Sequence, residues 1–361
     1  MLSGLRVVEF EGLGPAPFAA MMLAEMGAEV IVIHRPGAGN PVAGARNLLD
    51  RGKRSIVLDL KRAEDVAIAR ALIQRSDALI EGYRPGVMER LGLGPEAMQA
   101  ANPRLVYGRM TGWGQAGPRA QEAGHDLNYI ATSGALWYAG APGTPPVTPA
   151  TLVGDVGGGA LYLVAGMLAG LIRAGRSGRG TVVDAAIVDG SAHMMALLMS
   201  MMPSGNLSMM RGQSLLDGPH WSRVYTCACG GWLSVQCLEP QFYAEFLSRL
   251  GLADDPKLAA QHDRTQWPEQ VAALAALFAA RPLAHWAGIF AGSDACVAPV
   301  LSPEAAARDP HMAARGVWQQ DDGCLSPAPA PRFDGQSRPV AAPPARGEHG
   351  AEIRAWLDAA E

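Results

Sequence analysis

LRVVEFEGLGPAPFAAMMLAEMGAEVIVI, from Leu5 to Ile33, is the stretch that decides the fold. Leu5 to Phe10 is a short apolar run of strand character, and EGLGPAP turns the chain into a helix-like stretch from Phe18 to Met26. A second strand-like run follows at Glu29 to Ile33. Strand, glycine-rich turn, helix and strand form a crossover unit, and the right-handed rule for such units places both strands in one parallel sheet of Rossmann type. The dinucleotide fingerprint is incomplete, because Gly12 and Gly14 are present but Pro17 stands where the third small residue belongs. Arg35, just past the second strand, replaces the acid that an NAD-binding protein carries for the ribose hydroxyls. An arginine there suits a phosphate, which leaves NADP, coenzyme A or a plain surface residue as readings.

Outward from this unit the alternation continues. Strands are expected at Ser55 to Leu60, Ala78 to Tyr83 and Leu105 to Thr111, with a helix from Ala63 to Arg75. Helices are also expected over NYIATSGALWY and in the run after Asp155, then a strand-to-helix passage from Val182 to Met202. From Arg211 the texture changes to strands at Val224 to Cys227 and Trp232 to Cys237, followed by helical periodicity at Gln241 to Leu250, Gln270 to Ala280 and Leu283 to Phe290. The fold class is therefore α/β: a large Rossmann-like parallel-sheet domain plus a smaller α+β domain. The expected bounds are 1–190 for the large domain, 191–225 for a linker helix and Met-rich segment, 226–310 for the small domain, and 311–361 for a Pro-rich segment that returns to the large domain and ends in a short helix.

Size and composition agree with an enzyme. The chain has 361 residues, more than one typical domain, with 49% apolar and only 18% charged residues. A net charge of -4 and the lack of a Lys/Arg run argue against nucleic acid as a partner. Five cysteines, an odd number, fit reduced thiols better than a disulfide framework, and Cys227 with Cys229 lack the second ligand pair of a zinc site. MLSGLRVVEF has no basic stretch before a long apolar one, so a cytoplasmic protein is expected. Val156 to Ile172 is uncharged and about as long as the shortest membrane-spanning helices, but its three glycines and its flanks, Asp155 and Arg173, favour a buried packing helix, with no membrane span.

Three residues beyond the first strands are candidates for chemistry: His125 in AGHDLNYI, Asp155 in LVGDVGGG and Glu239 in LEPQFY. His125 precedes an apolar helix and follows the glycine-rich stretch that ends a strand, the edge where open α/β sheets bind ligands. The bland reading is an exposed or structural histidine. Asp155 stands before Gly157, Gly158 and Gly159 at an expected helix start, where free N–H groups favour negative charge. It reads equally well as an ordinary N-cap, although glycines also let a ligand approach the backbone. The methionine-rich stretch from Met194 to Met210 reads either as helix core or as an adaptable surface for an apolar chain.

With these segments in order, the chain resembles the α-methylacyl-CoA racemases within the wider family III CoA-transferase group. The resemblance runs nearly the whole length, on LSGLRVVEFEGLGPAPFAAMMLAEMGAEVI, HRPG, RSIVLDLK, EGYRPGVMERLGLGP, GRMTGWGQAGPRAQEAGHDLNYI, LVGDVGGG and GRGTVVDAAIVDGS. It implies that His125 and Asp155 are an acid/base pair and that Glu239, from the small domain, lies against the histidine. It implies an interlocked homodimer, with each active site built from the large domain of one subunit and the small domain of the other. Arg35 is similar to the family's contact for the adenosine phosphate, and Leu58, Lys61, Glu81 and Arg84 fall in segments that line the nucleotide. Coenzyme A is then part of the substrate, and no separate cofactor is implied.

The expected activity is epimerisation of 2-methylacyl-CoA thioesters by 1,1-proton transfer through an enolate. The N–H groups of the glycines after Asp155 are expected to receive the enolate oxygen. The alternative is a family III CoA-transferase in which Asp155 is the acyl-accepting nucleophile. An NADP-dependent oxidoreductase is disfavoured by the damaged fingerprint, and a non-catalytic acyl-CoA binder by the set of three candidate residues.

Overall fold

The computed structural model describes residues 1–37, 39, 47–321 and 323–359. The chain divides into two compact units, one formed by residues 1–136, 148–196 and 329–361, the other by residues 137–147 and 197–328. These bounds differ from the expected ones at three places, the first being that residues 197–225, read as part of a linker, fall within the second unit. The segment 137–147 belongs with residues 208–211, because Trp137 Nε1–H donates to the Met209 carbonyl, Tyr138 O–H to that of Ser208, and the Arg211 guanidinium to those of Ala139, Ala141 and Thr144. The return to the first unit comes at 329 because Val317 and Ala328 close a hairpin within the second.

In the larger unit the elements run β1 (Arg6–Phe10), α1 (Pro15–Glu25), β2 (Glu29–His34), β3 (Arg54–Val57), α2 (Ala63–Gln74), β4 (Ala78–Glu81), α3 (Val87–Arg90), α4 (Pro95–Ala101), β5 (Val106–Thr111) and α5 (Asp126–Ser133). A π-helix (Leu152–Ala160) then continues directly into α6 (Leu161–Ser177), followed by β6 (Thr181–Ala186) and α7 (Ile187–Met194). The short α8 (Ala196–Met199) lies at the division between the units. The six strands form one parallel sheet in the order β3-β2-β1-β4-β5-β6. This is the doubly wound Rossmann order, in which the strand sequence reverses between β1 and β4 and opens a crevice beyond their carboxyl ends.

The parallel strands are buried on both faces, as helices on each side require. One core joins Val7, Val30, Ile80 and Val106 to α1 and α6, and the other joins Val8, Ile31, Ile56 and Leu79 to α2 and Tyr107. Leu152–Ser177 is long and apolar enough to cross a membrane by length and composition. In this protein its buried residues Leu163, Val164, Met167, Gly170 and Ala174 lie on the sheet. The fit is close: a Cβ on Gly170 would stand 2.6 Å from Val106 Cγ1, and one on Gly108 2.6 Å from Met167 Sδ.

The C-terminal segment crosses the β3 edge of this sheet. Gly52 N–H donates to the Ala341 carbonyl, Gly347 N–H to Ser55 Oγ, and Arg338 to the Met26 carbonyl. The last helix, α14 (Gly350–Asp358), buries Ile353 and Leu357 in the second core.

The smaller unit has an antiparallel sheet of β7 (Ser222–Thr226), β8 (Trp232–Gln236) and β9 (Val297–Pro299). Around it stand α9 (Pro240–Leu250), α10 (Trp267–Ala279), α11 (Leu283–Phe290), α12 (Pro303–Arg308) and α13 (Pro310–Arg315), then the hairpin β10 (Trp318–Asp321) and β11 (Cys324–Pro327). Its core is aromatic, with Phe246 stacked on Phe290 at 5.7 Å and Phe278 edge-on to Trp286 at 5.1 Å. The mixed α/β architecture agrees with the sequence reading.

Candidate active site

A cavity of about 480 Å³ opens at the carboxyl ends of the strands in the larger unit. Its walls are the turns after β1 (Glu11 to Ala16), β2 (Arg35), β4 (Gly82 to Pro85) and β5 (Thr111 to Trp113), closed by His125, Tyr129, Asp155 and Ile187. The location is the one the strand order dictates. Four residues singled out in the sequence therefore meet here: His125, Asp155, Arg35 and Arg84.

His125 is the N-cap of α5 and is exposed. Its backbone N–H donates to Asn128 Oδ1 at 3.0 Å while its carbonyl accepts from Asn128 N–H at 2.8 Å, the reciprocal contacts of a capped helix start, and His125 lines the cavity. Asp155 lies in the first turn of the π-helix and is half-buried. Its N–H donates to Asp126 Oδ1 at 2.9 Å, and the Thr151 N–H to Asp126 Oδ2 at 3.3 Å. Asp126, the first residue of α5, is thus the bracket that ties the His125 and Asp155 segments together. Two glycines make room for this: a Cβ on Gly154 would stand 2.4 Å from Asp126 Oδ1, and one on Gly14, whose φ is +64°, 3.3 Å from Asp155 Oδ2.

Burial pushes the Asp155 carboxyl up to about 6, the Asp126 carboxylate adds to the rise, and the neighbouring His125 opposes it. A carboxyl of that character exchanges its proton near neutral pH. The expectation that glycine N–H groups after Asp155 serve an oxyanion is overturned. Residues 152–160 are a π-helix, so the N–H groups of Gly157, Gly158 and Gly159 are used in its own i→i−5 bonds, as Val156 N–H is to Thr151. The glycines are there for packing, since a Cβ on Gly158 would meet Ser191 Oγ at 2.3 Å and the Ile187 carbonyl oxygen at 3.0 Å.

The remaining candidates lie elsewhere. Leu58 is in the core beside α2, Lys61 is exposed, and neither lines the cavity. Glu81 is fully buried and also outside the lining; it accepts the Tyr83 N–H at 2.7 Å and the Arg109 guanidinium at 3.1 Å, and so holds the turn that presents Tyr83 and Arg84. Burial lifts its carboxyl to about 7 against the pull of these donors. Glu239 belongs to the smaller unit, where it is the exposed N-cap of α9 and its carbonyl accepts the Tyr243 N–H at 3.0 Å.

Tyr129 and Trp113 in the cavity, and Arg346 behind it, gave no signal in the sequence. Tyr129 forms an edge-on pair with Trp113 at 4.8 Å, and its hydroxyl donates to the Gly124 carbonyl. Its ring fills the space a side chain at Gly112 would need. Arg346 reaches Glu11 from far along the chain. Met194, Met209 and Met210 are exposed by 36%, 58% and 63%, which removes them from any helix core. Among the described residues no group of three His, Cys, Asp or Glu side chains is disposed to hold a metal.

A doubly wound sheet whose switch-point cavity joins a histidine, a raised carboxyl and two arginines defines a class, and comparison with known proteins agrees: the chain belongs to CoA-transferase family III, whose sequence model matches residues 2–350. It is 42% identical to the alpha-methylacyl-CoA racemase of Mus musculus, over 98% of this chain and 92% of that protein. It is likewise 42% identical to the alpha-methylacyl-CoA racemase of Homo sapiens, over 91% and 86% of the two chains. Among solved structures, a CAIB/BAIF family protein from Brucella suis superposes with a TM-score of 0.81 at 26% identity, covering 99% of both chains.

Proposed function

We propose that the protein is a racemase of 2-methylacyl-CoA thioesters, with His125 and Asp155 as the acid/base pair. The observation that carries this reading is that the two side chains line one cavity from separate elements, with the Asp155 carboxyl brought to about 6. For one enantiomer the neutral His125 imidazole takes the α-proton, the electron pair moves to the thioester oxygen as an enolate, and protonated Asp155 returns a proton to the opposite face. For the other enantiomer the roles exchange. The enolate needs donors, and we assign them to the first turn of α5 behind His125, whose leading N–H groups have no carbonyl one turn back.

Arg35 and Arg84 are the cations assigned to the CoA phosphates. Coenzyme A enters as part of the substrate, without a separate cofactor. We further assign a homodimer in which Glu239 of the partner subunit orients the imidazole, and a cytoplasmic location consistent with five free cysteines.

A CoA-transferase would use Asp155 as a nucleophile, which requires the carboxylate. His125 in the same cavity supplies a second proton-transfer group, for which a transferase has no need, and this favours proton exchange. Incubation with a 2-methylacyl-CoA in heavy water, without cosubstrate, separates the two. Incorporation of α-deuterium with loss of stereochemistry is expected; no α-deuterium, with CoA transfer once an acceptor acid is added, would reject the reading. His125→Ala and Asp155→Ala should each lower turnover by at least about a hundredfold, the usual worth of a positioned acid or base, while CoA still binds.

A further inference from the structure

The rim of the cavity holds a charge arrangement that proton transfer does not use. Glu11, in the turn after β1, lines the cavity with a side chain only 12% exposed. Arg346 donates from Nη1 to Glu11 Oε1 at 2.6 Å and from Nη2 to Oε2 at 3.1 Å, a two-pronged pair. The same Nη2 donates to the Arg35 carbonyl oxygen at 2.6 Å, and the Arg35 N–H donates to Glu11 Oε2 at 2.9 Å. The Arg35 guanidinium, by contrast, stands 3.8 Å from that carboxylate with its side chain 71% exposed.

A carboxylate this enclosed requires a cation. Burial would push the Glu11 carboxyl up, but the hydrogen bonds from Arg346 and from the Arg35 backbone bring it below its ordinary value, so it stays ionised. Remove Arg346 and the nearest cation for Glu11 is Arg35 itself. Their present 3.8 Å pair would tighten, and the rim would lose much of the positive charge that an anionic ligand meets. Gly39 leaves room for this guanidinium: a Cβ there, where φ is +78°, would stand 2.9 Å from Arg346 Nη1.

We infer that Arg346 is a positioning residue for the phosphate-bearing part of the ligand, neutralising Glu11 and fixing the main chain at Arg35 so that the Arg35 guanidinium is kept for a phosphate. The inference rests on the reading of the substrate as a CoA thioester, and on the C-terminal segment that carries Arg346 along the β3 edge.

Calorimetric titration with coenzyme A alone tests it in the full-length protein, independently of turnover. Arg346→Met should weaken CoA binding about tenfold, the scale of one charge-assisted contact, and Arg346→Lys less. Adding Glu11→Gln to Arg346→Met should recover most of the loss, because the carboxylate that competes for Arg35 is gone. In turnover assays KM for the CoA thioester should rise by the same factor with kcat little changed, whereas KM for the matching acyl-pantetheine thioester, which lacks phosphates, should not move. Arg338→Met, which loosens the same segment at Met26, should leave CoA affinity within about twofold, as expected for a contact far from the rim. Wild-type affinity in Arg346→Met, no recovery in the double variant, or an equal loss in Arg338→Met would each overturn the inference. Failure of the racemase reading has a separate signature, a wild-type protein that binds CoA but exchanges no α-proton.

Discussion

Asp126 carries two tasks with one carboxylate. It accepts the Asp155 and Thr151 N–H groups, which fixes the π-helix start, and its charge is the second cause, after burial, of the raised Asp155 carboxyl. Asp126→Asn keeps one of the two oxygen acceptors and removes the charge, so the Asp155 value should fall from about 6. The sign differs between the two directions of the reaction. Where Asp155 is the base, activity disappears as pH drops through its pKa, so the acid limb should move to lower pH in the variant. Where protonated Asp155 is the acid, activity disappears as pH rises through that value, so this limb also moves down and the variant fails earlier. Profiles of kcat/KM measured from each enantiomer check both limbs; a limb that stayed in place or moved up would separate Asp126 from the tuning of Asp155. The roles of His125 and Asp155 were expected from their family motifs, but Asp126 could not be singled out. Its partners are main-chain groups of residues 151 and 155, which side-chain patterns do not report.

At the scale of elements, the alternating strands and helices of the larger unit were legible because period-two and helical patterns survive inside single segments. The departures have local causes. The helix over NYIATSGALWY stops at Ser133, where Gly134 turns left-handed with φ +89°. Helix α1 begins three residues before the expected Phe18, since Pro15 fits a first helical position. The apolar run after Asp155 gave no sign of a π-helix, which lies closely against α7. That packing yields a paired prediction. Gly158→Ala places a methyl against Ser191 and Ile187 and should destabilise the protein by about 1–3 kcal/mol, the usual cost of overpacking. Gly175→Ala, in the same continuous helix but with open space around it, should stabilise by about 0.5–1 kcal/mol. Denaturant titration of both variants measures the difference, and equal effects would show that the glycines are not there for packing.

For the whole molecule, the assignment of Glu239 to a neighbouring subunit makes a prediction that a self-contained site cannot meet. Refolding His125→Ala together with Glu239→Ala should create hybrid dimers in which one site has both native residues and the other has neither. With random pairing, about half of the dimers are hybrids and half of their sites are intact, so about a quarter of wild-type activity should return. Activity no higher than the sum of the two variants would confine each site to one chain. The Arg346 contact was invisible to sequence reading for a similar reason of distance: it spans 335 residues to Glu11 and lies in a Pro-rich stretch without periodicity.

That span also has a temporal meaning for the protein in the cell. During synthesis β1 and its turn leave the ribosome hundreds of residues before Arg346 and α14, so Glu11 waits without its cation and the hydrophobic places of Ile353 and Leu357 stay open. A nascent chain can pair its early strands but cannot finish the rim, and competence for the ligand arrives only with the final stretch translated. Ribosome-stalled chains ending just short of residue 346 should therefore hold CoA at least about tenfold more weakly than the finished chain.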